Sequence, residues 1–455
     1  MNIVIYHSND FHSDFNNLKK VNSYLRKNKT KNDLYFDSGD YTDLSSIIVQ
    51  ADGGKSAMKL MVDSQLDAMA IGNNEIDLGC CALEKLTESG IPLISTNLRN
   101  LNNASVQGVL SSKIFIRAGK RLLVLGLSPY YSKDLLHEAY DLFFMMGGLR
   151  THEPIELLKE EIEKQKEKYD YCILLSHSGL GIDQMILEAV SEIDLCLGGH
   201  THDIETYRGY SQSGKGEKLG KITLEVIEGQ LVEVENIQLD LKESNDLQFD
   251  KLYSEIEKST DRLLSKPLSY IRELPFTAFK QSELINFICD ALMKESHYEC
   301  DLAIMHAGIA EKALVHPISR KSLIETFPSK LNPTKYKING KELREAIHLS
   351  FDDENIRRSG KGAGFRGSVL GTLGFSRNVK IIEESRVITI DGQLLEDDKS
   401  YLIITDDYLQ RGSGYPSLKV ADSEAIFEPG FIRDLVEKYL MDEELFKFSK
   451  EIRIF

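Results

Sequence analysis

The sequence predicts an α/β protein in two parts, a first domain with a largely parallel central sheet and then a smaller α+β domain. Three observations predict it. The chain has 455 residues, too many for one hydrophobic core, so two domains is the natural division. From residue 1 to about 205, short apolar runs alternate with amphipathic stretches, the rhythm of strands joined by helical crossovers. Beyond about residue 267 that rhythm gives way to helices and strands in mixed order.

Taken in order, Ile3–Tyr6, Leu34–Phe36, Ala68–Ile71, Pro92–Ser95, Leu122–Leu127, Tyr171–Leu175 and Asp194–Leu197 are short, apolar and bounded by turn residues, and each is expected as a strand. Leu18–Arg26, Ser56–Gln65 and Pro154–Lys168 carry apolar residues at helical spacing. The lysines between Lys19 and Lys31 are read as a solvated helix face. Residues 221–239 alternate apolar and polar around Glu228-Gly229, which predicts a hairpin closing a first domain at residues 1–242. Gln248–Leu264 predicts a charged amphipathic helix, placing a linker at 246–266 and a second domain at 267–455. There, Glu283–Glu295 and Gly340–Ser350 are expected as helices, and Val387–Ile390 and Ser400–Thr405 as strands.

The charge balance, 55 basic against 71 acidic residues for a net of −16, argues against nucleic-acid polymers and anionic membranes, which are bound through basic patches. It leaves room for a phosphorylated small molecule, because bound divalent cations reverse the local field. None of the six cysteines forms a CxxC pair, and Cys172 and Cys196 lie in apolar runs. That usage suits thiols in a reducing compartment rather than a disulfide framework. The opening residues MNIVIYHSNDF read as a first strand and not a signal peptide. No apolar run approaches the ~18 residues of a membrane span. A cytoplasmic protein is expected.

The informative feature is where potential ligands fall. Asp10 and His12 follow the first predicted strand, Asp40 the next and Asn73 a third; His177 follows another, and His200 and His202 yet another. Loops at the carboxyl ends of parallel strands converge on one crevice. Seven oxygen or imidazole donors delivered there are enough for two metal ions, of Mn, Zn, Fe or Co type by donor chemistry. Each fragment alone has a bland reading as a hydrogen-bonded strand-end residue; their joint placement outweighs it.

At these residues the sequence resembles the calcineurin-like metallophosphoesterases, specifically the 5'-nucleotidase family. The matching segments are Asp10-Phe11-His12, Gly39-Asp40, Gly72-Asn73-Asn74-Glu75, His177 and Gly199-His200-Thr201-His202, with PLISTNL at 92–98. The resemblance implies a four-layer αββα sandwich followed by a C-terminal substrate domain. It also implies one ion held by Asp10, His12, Asp40 and His202 and a second by Asp40, Asn73, His177 and His200, with Asp40 bridging. The implied activity is hydrolysis of a nucleotide or related phosphoester.

The departures are as specific as the match. Where the family carries a His that assists the leaving group, this sequence has Asn74, while Asp77 stands where the orienting carboxylate is expected. An amide donates a hydrogen bond but does not transfer a proton. In the second half, Tyr336–Gly340 and its following helix are similar to the family, and the resemblance implies Phe365 and Tyr408 as rings clamping a nucleobase. The family's phosphate-binding segment is replaced by His306-Ala307-Gly308-Ile309-Ala310, leaving Arg366, Arg377 and Arg411 as substitutes for anion contacts. Two alternatives stay open: a phosphodiesterase or nucleotide-sugar pyrophosphatase, whose leaving group needs less protonation, and a metal-containing binding protein without turnover.

Overall fold

The computed structural model describes residues 2–130, 138–242, 245–269, 273–360 and 365–455. The chain divides into two compact units, Met1–Thr260 and Asp261–Phe455, the division falling inside the helix Leu247–Leu264.

The first unit holds two six-stranded sheets rather than the single sheet the alternation suggested. In one, the order is Gln230–Asp240, Lys218–Ile227, Asn2–Ser8, Leu34–Asp37, Ala68–Ala70 and Leu93–Ile94. In the other it is Ile204–Tyr207, Tyr210–Ser213, Leu195–Leu197, Tyr171–Ser176, Lys120–Leu127 and Ser112–Arg117. Asn2–Ser8 through Leu93–Ile94 are parallel neighbours. Lys120–Leu127, Tyr171–Ser176, Leu195–Leu197 and Tyr210–Ser213 form the matching parallel run.

Strand alternation explains why two sheets form. Ile3, Ile5, Leu34 and Phe36 from one sheet share a buried cluster with Leu122, Val124, Ile173, Leu175 and Leu197 from the other. The intervening residues Leu123, Leu125, Cys172 and Leu174 point away and pack on Leu158, Ile162 and Ile186 of flanking helices. Strands apolar on both faces need cover on both sides, and a helix–sheet–sheet arrangement supplies it. The predicted hairpin is present: Ile227 pairs with Gln230 across a two-residue turn, and Glu228 and Gly229 both have positive φ, as a type I′ turn requires.

The second unit is built on a five-stranded sheet in the order Leu373–Phe375, Leu302–His306, Ser400–Asp406, Pro333–Asn339 and Ala425–Phe427. The helix Glu283–Glu295 is buried along ten consecutive residues, Leu284 to Met293, because its apolar residues surround it rather than lining one stripe. All six cysteines are free. Among the described residues no helix is long and apolar enough to cross a membrane.

Candidate metal centre

The carboxyl ends of the parallel strands carry the candidate ligands, and side-chain contacts link all seven. Asp10 Oδ1 lies 3.6 Å from His12 Nε2, 3.7 Å from His177 Nε2 and 3.3 Å from His202 Nε2. The two oxygens of Asp40 face different histidines, Oδ1 lying 3.3 Å from His177 Nε2 and Oδ2 3.7 Å from His12 Nε2. His12 and His202 approach through their Nε2 atoms at 3.1 Å. His200 Nδ1 is 3.0 Å from Asn73 Oδ1, and its ring lies against that of His177 with centroids 5.2 Å apart. Two sets, Asp10–His12–His202 and Asp10–Asp40–His177, have donor atoms close enough to hold an ion.

The donor set fits a cation. His177 Nδ1 meets the Ser38 carbonyl at 2.7 Å, which places the ring proton on Nδ1 and leaves Nε2 as a bare lone pair. That Nε2 and Asp10 Oδ1 are both buried without a hydrogen-bond partner. Lone pairs from two carboxylates and an imidazole thus face one another, and only positive charge between them reconciles the arrangement. The electrostatics agree. Burial by itself would lower His177, yet the facing carboxylates of Asp40 and Asp10 carry it up to about 10. For His12 burial likewise pulls down, and the neighbouring carboxylates of Asp10 and Asp43 carry it up to about 9.

The backbone is as specialised as the side chains. Asp10, His12, Asp40, His200 and His202, five of the seven, have positive φ between 45° and 77°. For non-glycine residues that conformation costs roughly 1–2 kcal/mol each. Two glycines let the loops meet: a Cβ on Gly39 would stand 2.6 Å from the backbone nitrogen of Gly72, and one on Gly72 would collide with Asp40.

Several supporting residues complete the centre, and of these only Glu75 falls within a segment that marks the site in the sequence. Glu75, wholly buried, accepts from the backbone N–H groups of Asp40, Gly72 and Thr42 and from the Thr42 hydroxyl, all at 2.8–3.0 Å. It ties the Asp40 loop to the Asn73 loop; its place three residues after Gly72 was the available hint. Asp43 Oδ2 lies 3.3 Å from His12 Nδ1. Asp10 Oδ2 accepts from the backbone N–H of His200 at 2.8 Å, joining the first loop to the last.

Asn74 is buried at the start of the helix Asn73–Asp77. Its backbone N–H donates to Asp40 Oδ1 at 2.8 Å, and its side-chain nitrogen lies 2.9 Å from His12 Nδ1. Asp77 closes the same helix.

In the second unit, Phe365 and Tyr408 do come together, but on each other. Their centroids are 4.7 Å apart with planes inclined by 23°, and both rings are buried. A base between two rings needs about 7 Å, two van der Waals layers, so this arrangement leaves no room for one. The expected clamp is a closed stack, packed further against His306. His306 and Asp406, both fully buried, face each other at 3.0 Å. The three arginines are also engaged: Arg411 pairs with Asp407 at 2.7 Å, Arg366 donates to the Phe365 carbonyl at 2.9 Å, and Arg377 covers the Phe448 ring at 4.0 Å. Gly364, the start of the glycine-flanked loop, lies outside the described residues.

Comparison with known proteins agrees with this geometry. The family described as calcineurin-like phosphoesterase matches residues 3–203, and that described as 5'-nucleotidase, C-terminal domain, matches residues 266–419. The chain is similar to an uncharacterized metallophosphoesterase of Bacillus subtilis, 28% identical over 95% of this chain and 97% of the other. A 5'-nucleotidase of Diplobatis ommata is 23% identical over 86% and 76% of the respective chains. Among solved structures, NAD nucleotidase of Haemophilus influenzae aligns with a TM-score of 0.61 at 17% identity, covering 97% of this chain and 96% of that one. A 5'-nucleotidase precursor of Thermus thermophilus aligns at 0.55 and 15% identity, covering 100% and 97%.

Proposed function

Since the chain belongs to the 5'-nucleotidase family of the calcineurin-like metallophosphoesterases, we propose that it hydrolyses a nucleotide or a closely related small phosphate ester. The single observation that carries the reading is the convergence of the Asp10 and Asp40 carboxylates on the bare Nε2 of His177. Divalent ions bound there supply an acidified water and positive charge for the phosphoryl oxygens. Asp10, His12, Asp40 and His202 would hold one ion, and Asp40, Asn73, His177 and His200 the other. Mixed carboxylate, amide and imidazole donors suit Mn, Zn, Fe or Co.

The chain's own groups set the limits of the reaction. The Ser38 carbonyl holds His177 in the tautomer that presents Nε2 to a cation. The Glu75 carboxylate holds two ligand loops at fixed spacing. Asn74 can donate an N–H to a phosphoryl oxygen but has no proton to give a departing alkoxide. That residue favours a second reading within the same chemistry: a substrate whose leaving group is already a weak base, such as a pyrophosphate or an activated diester.

Initial rates with Mn2+ on a nucleoside monophosphate, a nucleotide sugar, p-nitrophenyl phosphate and its bis-ester test both readings. Turnover of the monophosphate is the expected outcome. Turnover confined to the nucleotide sugar and the bis-ester would move the assignment to the second reading. No turnover on any of the four, with metal bound, would overturn the enzymatic reading.

A further inference from the structure

A buried polar chain runs behind the histidine ligands. Asp183 lies on the helix Leu180–Ala189 and is fully buried. Its Oδ1 accepts from the hydroxyl of Ser176, the residue before His177. Its Oδ2 is 3.1 Å from the Tyr210 hydroxyl, which is 2.8 Å from Gln212 Oε1. Gln212 Nε2 donates to Thr201 Oγ1 at 3.1 Å, and Thr201 stands between His200 and His202. A Cβ on Gly198 would collide with the Tyr210 hydroxyl and lie 2.9 Å from Asp183 Oδ2, so the chain packs directly on the backbone that leads into both ligands.

Counting protons decides the state of the acid. A tyrosine hydroxyl has one proton, and here two acceptor oxygens claim it. If Asp183 is protonated, every contact is satisfied in sequence: Asp183 donates to Tyr210, Tyr210 to Gln212, and Gln212 to Thr201. If it is ionised, either Gln212 Oε1 or Asp183 Oδ2 is left facing an oxygen lone pair. Reversing the Gln212 amide relieves that clash but leaves a buried carboxylate held by two hydroxyls with no cation paired to it, His177 acting only at a distance, an expensive arrangement. The titratable groups facing Asp183 are His177 beyond the end of Tyr171–Ser176, Cys196 on Leu195–Leu197, Tyr210 on Tyr210–Ser213 and Tyr207 on the edge strand Ile204–Tyr207. None is a lysine or arginine. Burial pushes the carboxyl up to about 7, against smaller downward effects of Ser176, Tyr210 and His177.

We propose that Asp183 is a neutral carboxylic acid in the native protein at mildly acidic pH and a positioning residue that fixes the 198–202 loop for His200 and His202; the second clause rests on the metal-centre reading above. Asp183→Asn retains an N–H donor toward Tyr210, whereas Asp183→Ala breaks the chain.

An infrared difference spectrum of full-length wild type minus Asp183→Asn at pH 6 should contain a protonated-carboxyl band; a carboxylate band alone would overturn the protonation state. Linkage gives a second readout. The folded value lies above the unfolded one near 4, so wild type should lose stability relative to Asp183→Asn as pH rises from about 4 to about 7, with no further change above. A melting-temperature difference that does not vary with pH overturns it too. Mn2+ titration should find Asp183→Asn close to wild type and Asp183→Ala weaker by about 10–100-fold, the usual cost of losing a ligand's supporting partner. Equal losses in both variants would overturn the positioning role. If wild type itself takes up no Mn2+, the metal-centre reading fails, while the infrared band still decides the protonation.

Discussion

The side-chain nitrogen of Asn74 lies 2.9 Å from Nδ1 of His12, a candidate metal ligand. The residue at the position of the family's acid is therefore tied to the ring it would work beside. Asn74→His places a titratable imidazole there, on the same helix as Asp77. Monoester hydrolysis should rise, by up to the ~10²–10⁴ that general acid–base groups supply. Rates on p-nitrophenyl phosphate at matched metal content check this; an unchanged rate would mean that Asn74 belongs to a different chemistry.

Asp40→Ala should abolish more activity than His12→Ala or His202→Ala. Its two oxygens face His177 and His12 separately, so one substitution strips both halves of the centre. Elemental analysis should show metal content falling further than in either histidine variant. A milder loss than His12→Ala would remove Asp40 from the bridging role.

Glu75→Gln keeps the size of a side chain that accepts four hydrogen bonds but turns one acceptor into a donor. At least one backbone N–H then faces another donor in a buried site, at a cost of about 1–3 kcal/mol. A lowered melting temperature and weaker Mn2+ binding are expected together, because the same carboxylate ties both ligand loops. Calorimetry with and without metal separates the two effects.

Phe365→Ala deletes a ring that is 5% exposed and stacked on Tyr408. The expected cost is about 3–5 kcal/mol, typical of a core aromatic. Metal content and turnover of p-nitrophenyl phosphate should persist in the protein that remains folded. If nucleotides enter by parting these rings, KM for a nucleotide should also rise relative to that of the small ester. A KM ratio equal to wild type would confine Phe365 to a packing role.

The strand-end positions of the candidate ligands were legible in the sequence because strand ends are marked by short-range signals: an apolar run, then a glycine or an Asp/His cluster. The hairpin at Glu228-Gly229 was legible for the same reason. What was not legible depends on tertiary registration. Strand alternation did not reveal that Ile3 and Leu122 meet across two sheets, since each strand is apolar on both faces. Asp183, Tyr210 and Gln212 look like unremarkable residues on a helix and a short strand until folding buries them together. Phe365 and Tyr408, 43 residues apart in the chain, could be placed in one region by analogy. Their separation in space, which decides whether a base fits, was not encoded locally.

Asp10, His12, Asp40 and Asn73 emerge from one sheet of the first unit, and His177, His200 and His202 from the other. An ion shared between those groups would act as a rivet through the two leaves, at the edge where the positive-φ loops meet. Chelation should therefore loosen the 1–260 unit first, leaving 261–455 comparatively untouched, which hydrogen exchange would resolve segment by segment. Inside a cell the same asymmetry would make metal scarcity a matter of lifespan: a protein starved of its ions would fall to proteases from its N-terminal half, and its abundance would follow metal supply.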